Sequence, residues 1–201
     1  MEKNLLARLE DLVSKAMGND FSHGYPHIVR VRSIAWDIVD HIGIDIDGVL
    51  LDVSILLHDL GRLIGEPHAY YSVLFAKSLL QEHGLDKEFI DKVVNAILYH
   101  SYNYSRRYGI KPLTEEAKIL SDADKLDALG VVGFLRVFHY SWLNGRSFNE
   151  TIKHFYEKIF NLYKLMHYPY TRAKAIELTN ITKETLNRLL SEISTASEKM
   201  M

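Results

Sequence analysis

The sequence contains no cysteine. A disulfide framework, a thiolate-ligated zinc or iron–sulfur centre and a thiol nucleophile are therefore all excluded. Net charge is also scarce. With 24 basic and 26 acidic residues the formal charge is −2, which speaks against a stable complex with nucleic acid held by a broad basic field. No apolar run approaches the roughly 20 residues needed to span a bilayer. The opening segment, MEKNLLARLEDLVSKAMG, breaks its stripe of Leu5, Leu6, Leu9, Leu12 and Val13 with charge on every turn. That pattern is an amphipathic helix rather than a secretory segment, so a soluble, cytoplasmic protein without a membrane partner is expected. A Gly-rich phosphate loop is missing as well, which weighs against a nucleotide-dependent kinase or ATPase.

Prolines number only four, and the two-residue alternation of strands is almost absent. What remains is a strong 3.6-residue period. It predicts an all-α helical bundle with helices near 2–17, 26–42, 47–59, 67–83, 87–100, 114–124, 126–145, 148–166 and 171–194. Gly18, Gly43, Gly84 and Gly145 stand where helices end. Asp86 and the Ser147/Glu150 pair have the spacing of N-terminal caps. Pro26 and Pro67 fit first-turn positions. Residues 101–113, SYNYSRRYGIKPL, read as a tyrosine-rich, basic surface loop. The 201 residues, 47% hydrophobic and 25% charged, suit one folded domain over 1–201.

Ten histidines accompany the missing cysteines, so any transition-metal site must use imidazole and carboxylate. Their placement separates them. Segment 49–57, VLLDVSILL, is apolar on nearly every side and ends in His58-Asp59; an ionised carboxylate leaving a buried helix is costly unless paired or metal-bound. His27 shares a helical face with Val31, Ile34 and Ile38. His100 follows Val93, Ala96 and Ile97, and Asp124 follows Ala117 and Leu120, at core-facing spacings. Any one of these has an ordinary reading as a hydrogen-bonded core residue. His27, His58, Asp59 and Asp124, two histidines and two aspartates on inward faces of three helices, are hard to satisfy without a cation. The mixed donors favour Mn, Fe, Co, Ni or Zn over an all-oxygen Mg or Ca site. Among the others, His41 and His83 sit in last helical turns, His139 shares a face with Leu135 and Trp142 that reads as core, and His154 and His167 have no evident partner.

The order His27…His58-Asp59…Asp124 resembles the H…HD…D signature of the HD-domain metal-dependent phosphohydrolases. SHGYPHIVRV (22–31), LLHDLGR (56–62) and KILSDADKLDALG (118–130) are similar to its three motifs. HAYYS (68–72) and ILYHS (97–101) resemble the additional histidine motifs of the small bacterial and archaeal branch, and Tyr170-Thr171-Arg172-Ala173 parallels its C-terminal helix. The chain departs from the pattern at Gly24, where relatives commonly carry aspartate after Ser-His. Gly24-Tyr25-Pro26 is not the mark of the cyclic-dinucleotide phosphodiesterases, which place those letters after the HD pair.

The resemblance implies an HD-type bundle with its motifs in 22–130 and helices of 131–201 packed onto it. It implies a divalent metal on His27, His58, Asp59 and Asp124, with coordination positions left for water and a phosphate oxygen. His68 and His100 would bind phosphate, serve as general acid or hold a second metal. Arg62 and Lys125 would clamp phosphate, Arg62 having the alternative of a solvated helix end. Asp127 would support Asp124 or cap the next helix. His23 would border the site or belong to an idle loop. Arg106 and Arg107, with neighbouring tyrosines, would grip a nucleotide or stand on a mobile surface loop. The implied activity is hydrolysis of a small phosphate ester or anhydride, in the first place a nucleotide. The alternatives are a non-catalytic HD module that binds a nucleotide or partner protein and a purely structural bundle; a homodimer fits any of them.

Overall fold

The computed structural model describes residues 2–198, and the side chains of 5–194. Among them are ten α-helices and no strand: α1 (Glu2–Met17), α2 (Tyr25–Ile42), α3 (Gly48–Leu57), α4 (His68–Glu82), α5 (Lys87–His100), α6 (Tyr102–Tyr108), α7 (Glu115–Asp127), α8 (Gly130–Leu143), α9 (Phe148–Glu157) and α10 (Pro169–Glu198). Two 3-10 segments, Leu60–Leu63 and Ile159–Leu165, complete the helical structure. The chain forms two compact units, residues 1–124 and 125–201.

The first unit is built around α3. Eight of its ten residues are buried, and it packs against α1, α2, α4 and α5. Leu51, Val53, Ile55 and Leu57 are fully buried; each contributes about 1.5–3 kcal/mol of apolar burial, which explains why the most apolar segment takes the central position. Asp47 caps α3 by accepting from the amides of Val49 and Leu50. After α3 the chain makes the tight turn Leu60–Leu63, which packs on α4. Gly61 makes this approach feasible: a Cβ there would lie 2.0 Å from the His68 carbonyl oxygen and 2.4 Å from the Ser72 amide nitrogen. The Gly61 amide donates instead to Ser72 Oγ at 2.8 Å.

The second unit packs α10 on α8 and on Ile159–Leu165. Phe134, Phe138, Phe155 and Phe160 form its aromatic core, with neighbouring ring centroids 4.9–5.9 Å apart. A buried Arg136–Asp127 ion pair at 2.7 Å lies beside it, and Thr182 Oγ1 accepts from the Gly130 amide at 2.8 Å.

Several expectations need correction. The expected loop 101–113 contains α6. Its sequence shows little apolar period, but Tyr104 and Tyr108 stack one turn apart with centroids at 4.5 Å, and Gly109 at φ 66° terminates it. The expected helix 148–166 breaks at Lys158, whose φ/ψ of −121°/−60° leaves the α region before the 3-10 segment. The helix carrying Asp124 continues to Asp127 and α8 begins at Gly130, because the turn is made by Gly130 at φ 69° rather than at Lys125. The face of α8 that bears His139 is not core: Leu135 is 51% and Trp142 84% exposed, and the buried face of α8 is that of Phe134 and Val137. The N-terminal caps at Asp86 and Ser147 form as expected, the latter as a reciprocal capping box.

Candidate metal centre

His27 lies in the first turn of α2, which starts at Tyr25 with Pro26 in that same turn, after the loop 18–24. That loop is closed by Asp20, whose Oδ1 accepts from the amides of Ser22 and His23 and from Ser22 Oγ. Gly24 is required by the same geometry. A Cβ at this position would lie 2.5 Å from both the amide nitrogen and the carbonyl oxygen of Asp20, so the aspartate that the resemblance leads one to expect after His23 has no room here.

His58 caps the C-terminus of α3 and His100 is the last residue of α5. In both, Nδ1 meets the carbonyl three residues back, that of Ile55 or of Ile97, so each imidazole satisfies an acceptor that a helix end leaves open. His68 opens α4, and its Nδ1 lies 3.1 Å from the Glu66 carboxylate. A carbonyl and an ionised carboxylate only accept, so all three histidines donate from Nδ1 and, when neutral, direct the Nε2 lone pair the other way.

Those Nε2 atoms converge on one carboxylate. Asp59 Oδ2 lies 3.6 Å from His27 Nε2 and 3.8 Å from His58 Nε2. Asp59 Oδ1 lies 3.5 Å from His68 Nε2 and 3.7 Å from His100 Nε2. His27 Nε2 stands 3.3 Å from His58 Nε2 and 3.5 Å from Asp124 Oδ1. Two triads result, His27/His58/Asp59 and Asp59/His68/His100, each with its ligand atoms within 4.8 Å of one another and both sharing Asp59. His27, His58 and Asp59 are buried, whereas the Asp124 side chain is 28% exposed, so the cluster reaches solvent along that edge.

Electrostatics fit the same picture. Burial drives His58 down to about 4, against a partial upward pull from Asp59. Burial also lowers His68, again against Asp59. Desolvation alone would raise Asp59, but Arg62 first, then His58, His100 and His68 hold its carboxyl well below the usual carboxylate range. Asp124 is likewise depressed, with His27, His100 and His58 outweighing its burial. Burial thus favours the neutral imidazole at His58 and His68, while Asp59 and Asp124 are held ionised. Asp59 Oδ1 is buried with no hydrogen-bond partner and faces two imidazole nitrogens. Lone pairs directed at an orphaned carboxylate oxygen repel it unless a cation lies between, and imidazole with carboxylate is a donor set for a divalent transition metal. The residues therefore fit a metal.

The other expected site residues divide. Arg62 Nε donates to Asp59 Oδ2 at 2.6 Å and is an intimate neighbour of the centre. His23 borders it, with its ring 5.9 Å from that of His27. Lys125 is buried on α7 next to Asp124. Asp127 is the last residue of α7 and pairs with Arg136; it does not cap α8, whose N-cap position is Leu129. Arg106 and Arg107 are exposed on α6, where they contact Tyr102 and Tyr108. Sequence reasoning passed over Glu66, whose only signal was an acidic residue two places before His68.

Comparison with known proteins agrees with this geometry. The HD domain family model matches residues 24–129. The Bacillus subtilis protein YpgQ, described as uncharacterized, is 27% identical over 175 residues, covering 85% of this chain and 84% of its own. The crystal structure of YpgQ in complex with ADP superposes with a TM-score of 0.73 at 24% identity, covering 95% and 96% of the two chains. A Lactobacillus plantarum structure gives 0.79 at 23% identity, covering 96% and 98%. A structure described as a predicted HD superfamily hydrolase from an uncultured Thermotogales bacterium gives 0.63 at 27%, covering 93% and 92%. On the match of its motifs over more than half its length, the chain belongs to the HD-domain family.

Proposed function

We propose that this protein is a metal-dependent phosphohydrolase acting on a small phosphate ester or anhydride, with a nucleotide as its substrate class. The observation that carries this reading is Asp59, a buried carboxylate shared by two histidine sets and left with one oxygen unsatisfied. His27, His58, Asp59 and Asp124 would hold one divalent ion, Mn, Fe, Co, Ni or Zn in preference to Mg alone, and His68 and His100 with Asp59 would hold a second. When bound, such an ion supplies Lewis acidity toward water and phosphoryl oxygens.

The chain's own groups do the rest. Arg62 keeps Asp59 ionised and, being 24% exposed, retains N–H donors for a phosphate oxygen. His68, with its Nδ1–H held by Glu66 and its Nε2 lone pair turned to Asp59 Oδ1, is suited to take a proton from a water or to hold the second ion. His100 is held by the Ile97 carbonyl with Nε2 directed at the centre. Lys125, the residue after Asp124, would supply a positive charge for phosphate. A nucleotide is favoured by the relative crystallised with ADP and by Tyr104 and Tyr108, stacked on the helix that follows His100.

Turnover of a panel of nucleoside mono-, di- and triphosphates and simple phosphate esters, with Mn, Mg, Co and Ni, tests the reading. Metal-dependent release of phosphate or pyrophosphate from at least one nucleotide is expected. Folded protein that turns over nothing with any of these ions overturns it in favour of a binding module.

A further inference from the structure

Helix α3 carries His58 and Asp59 into the centre, and most of its surface is apolar. Interdigitated packing holds such a helix in place, but hydrophobic burial is non-directional and sets its position less sharply than a hydrogen bond does. Metal ligation tolerates distance errors of only about 0.2 Å. Something directional must set where α3 stops.

Two buried carboxylates outside the centre meet this need. Asp52, 5% exposed in the middle of α3, accepts from Arg32 Nε at 2.9 Å and Nη2 at 2.5 Å, and from Trp36 Nε1 at 2.9 Å. Both donors lie on α2, the helix of His27. Glu116, 6% exposed on α7, accepts from the backbone amide of Asp47 at 2.7 Å, at the N-terminal cap of α3. Helix α7 carries Asp124. The forked Arg32–Asp52 pair is itself backed by Glu10, 3.6 Å from Arg32 and hydrogen-bonded to Tyr25 Oη at 2.7 Å.

The two helices that bring His27 and Asp124 to His58-Asp59 are thus each tied to α3 by a charged, directional hydrogen bond. Asp52 lies six residues before His58, Arg32 five after His27, and Glu116 eight before Asp124. At 1.5 Å of rise per residue these ties stand about 8–12 Å from the ligands. A slide of α3 by one residue would break every one of them.

We propose that Asp52 and Glu116 are positioning residues that fix the register of α3 against α2 and α7, and so set the ligand geometry of the centre. This rests on the reading of that centre as a metal site. The test is calorimetric titration of Mn²⁺ into metal-stripped protein, beside thermal unfolding of the same samples. R32M/D52L replaces the pair, half-buried at Arg32 and buried at Asp52, by apolar groups of similar size, an exchange that is often neutral for stability. It is expected to unfold within a few degrees of the parent while binding Mn²⁺ about 10–100-fold more weakly, the loss typical of groups that orient metal ligands. E116Q, which keeps an acceptor for the Asp47 amide, is expected to bind nearly as the parent, and E116L to lose at least tenfold. Parent-like affinity in folded R32M/D52L and E116L overturns the proposal and leaves the metal site standing. If either fails to fold, R32M/D52N and E116A take their places, and parent-like affinity in both overturns it. A parent protein that binds no Mn²⁺ removes the metal reading itself, and the proposal with it.

Discussion

The Nε2 atoms of His27 and His58 lie 3.3 Å apart across 31 residues of chain, with the Nδ1 of His58 committed to the Ile55 carbonyl. Burial keeps the His58 imidazole neutral, so its lone pair points toward its neighbour. A shared cation resolves this contact more completely than one shared proton does.

Metal binding should therefore be visible in stability. Mn²⁺ at about 100 times its dissociation constant is expected to stabilise the parent by about 2.7 kcal/mol, a shift of several degrees in Tm. Asp59→Ala should abolish that shift, since Asp59 belongs to both triads. A parent-like Mn²⁺ shift in the folded variant would show that Asp59 is not a ligand.

Acid should destabilise the metal-free protein in a defined window. His58 has an ordinary value of 6.5 in the unfolded chain and about 4 in the folded one. Below 6.5 the unfolded state takes up a proton that the folded state refuses, so stability falls as the pH drops through 6.5 and goes on falling until about 4. The loss is on the order of 3 kcal/mol. The depressed carboxyls of Asp59 and Asp124 add a further loss below about 4, as the unfolded chain protonates them first. Urea unfolding from pH 7.5 to 4.5 should show this slope, and His58→Gln should flatten it.

Placing a carboxylate at position 24 should harm the protein. Gly24→Asp puts a Cβ into the backbone of Asp20, and a loss of about 1–3 kcal/mol is expected in urea unfolding. Because the loop from Asp20 leads directly into α2, Mn²⁺ affinity should weaken as well. A variant as stable as the parent would mean that the loop rearranges freely.

Arg62 should matter for the charge on Asp59. Arg62→Ala removes the 2.6 Å bond and the main downward pull on that carboxyl. Mn²⁺ affinity or turnover should fall about 10–100-fold, with a steeper loss below pH 6 than in the parent. Arg62→Lys, which keeps charge but not the guanidinium geometry, should recover part of the loss.

How far the sequence could be read followed from which forces were local. The helices were legible because the 3.6-residue apolar period survives in nearly all of them, and α1 and α5 end where that pattern ends. Helix α6 was hidden because seven residues held by tyrosine stacking and a Gly109 terminus carry almost no period. The face of α8 was misjudged because Leu135 and Trp142 are apolar yet exposed, and apolar spacing marks a stripe without saying what covers it. At the centre, His27, His58, Asp59, His100 and Asp124 were legible as polar residues on apolar faces. Asp52 sits equally conspicuously within VLLDVSILL, but nothing local says whether a buried carboxylate finds a metal or an arginine.

By itself, the sequence determined an all-α chain with no thiol chemistry, a central apolar helix ending in His-Asp, and imidazole and carboxylate as the only transition-metal donors. These depend on composition and on period, which are properties of residues and their near neighbours. Only the tertiary structure decided that one carboxylate, Asp59, faces four histidines from α2, α3, α4 and α5, and that Gly24 and Gly61 stand where backbone meets backbone. It also decided that Asp52 turns to Arg32 rather than to the centre. Those outcomes depend on distances between segments far apart in the chain, which the packing of helices sets and no local pattern encodes.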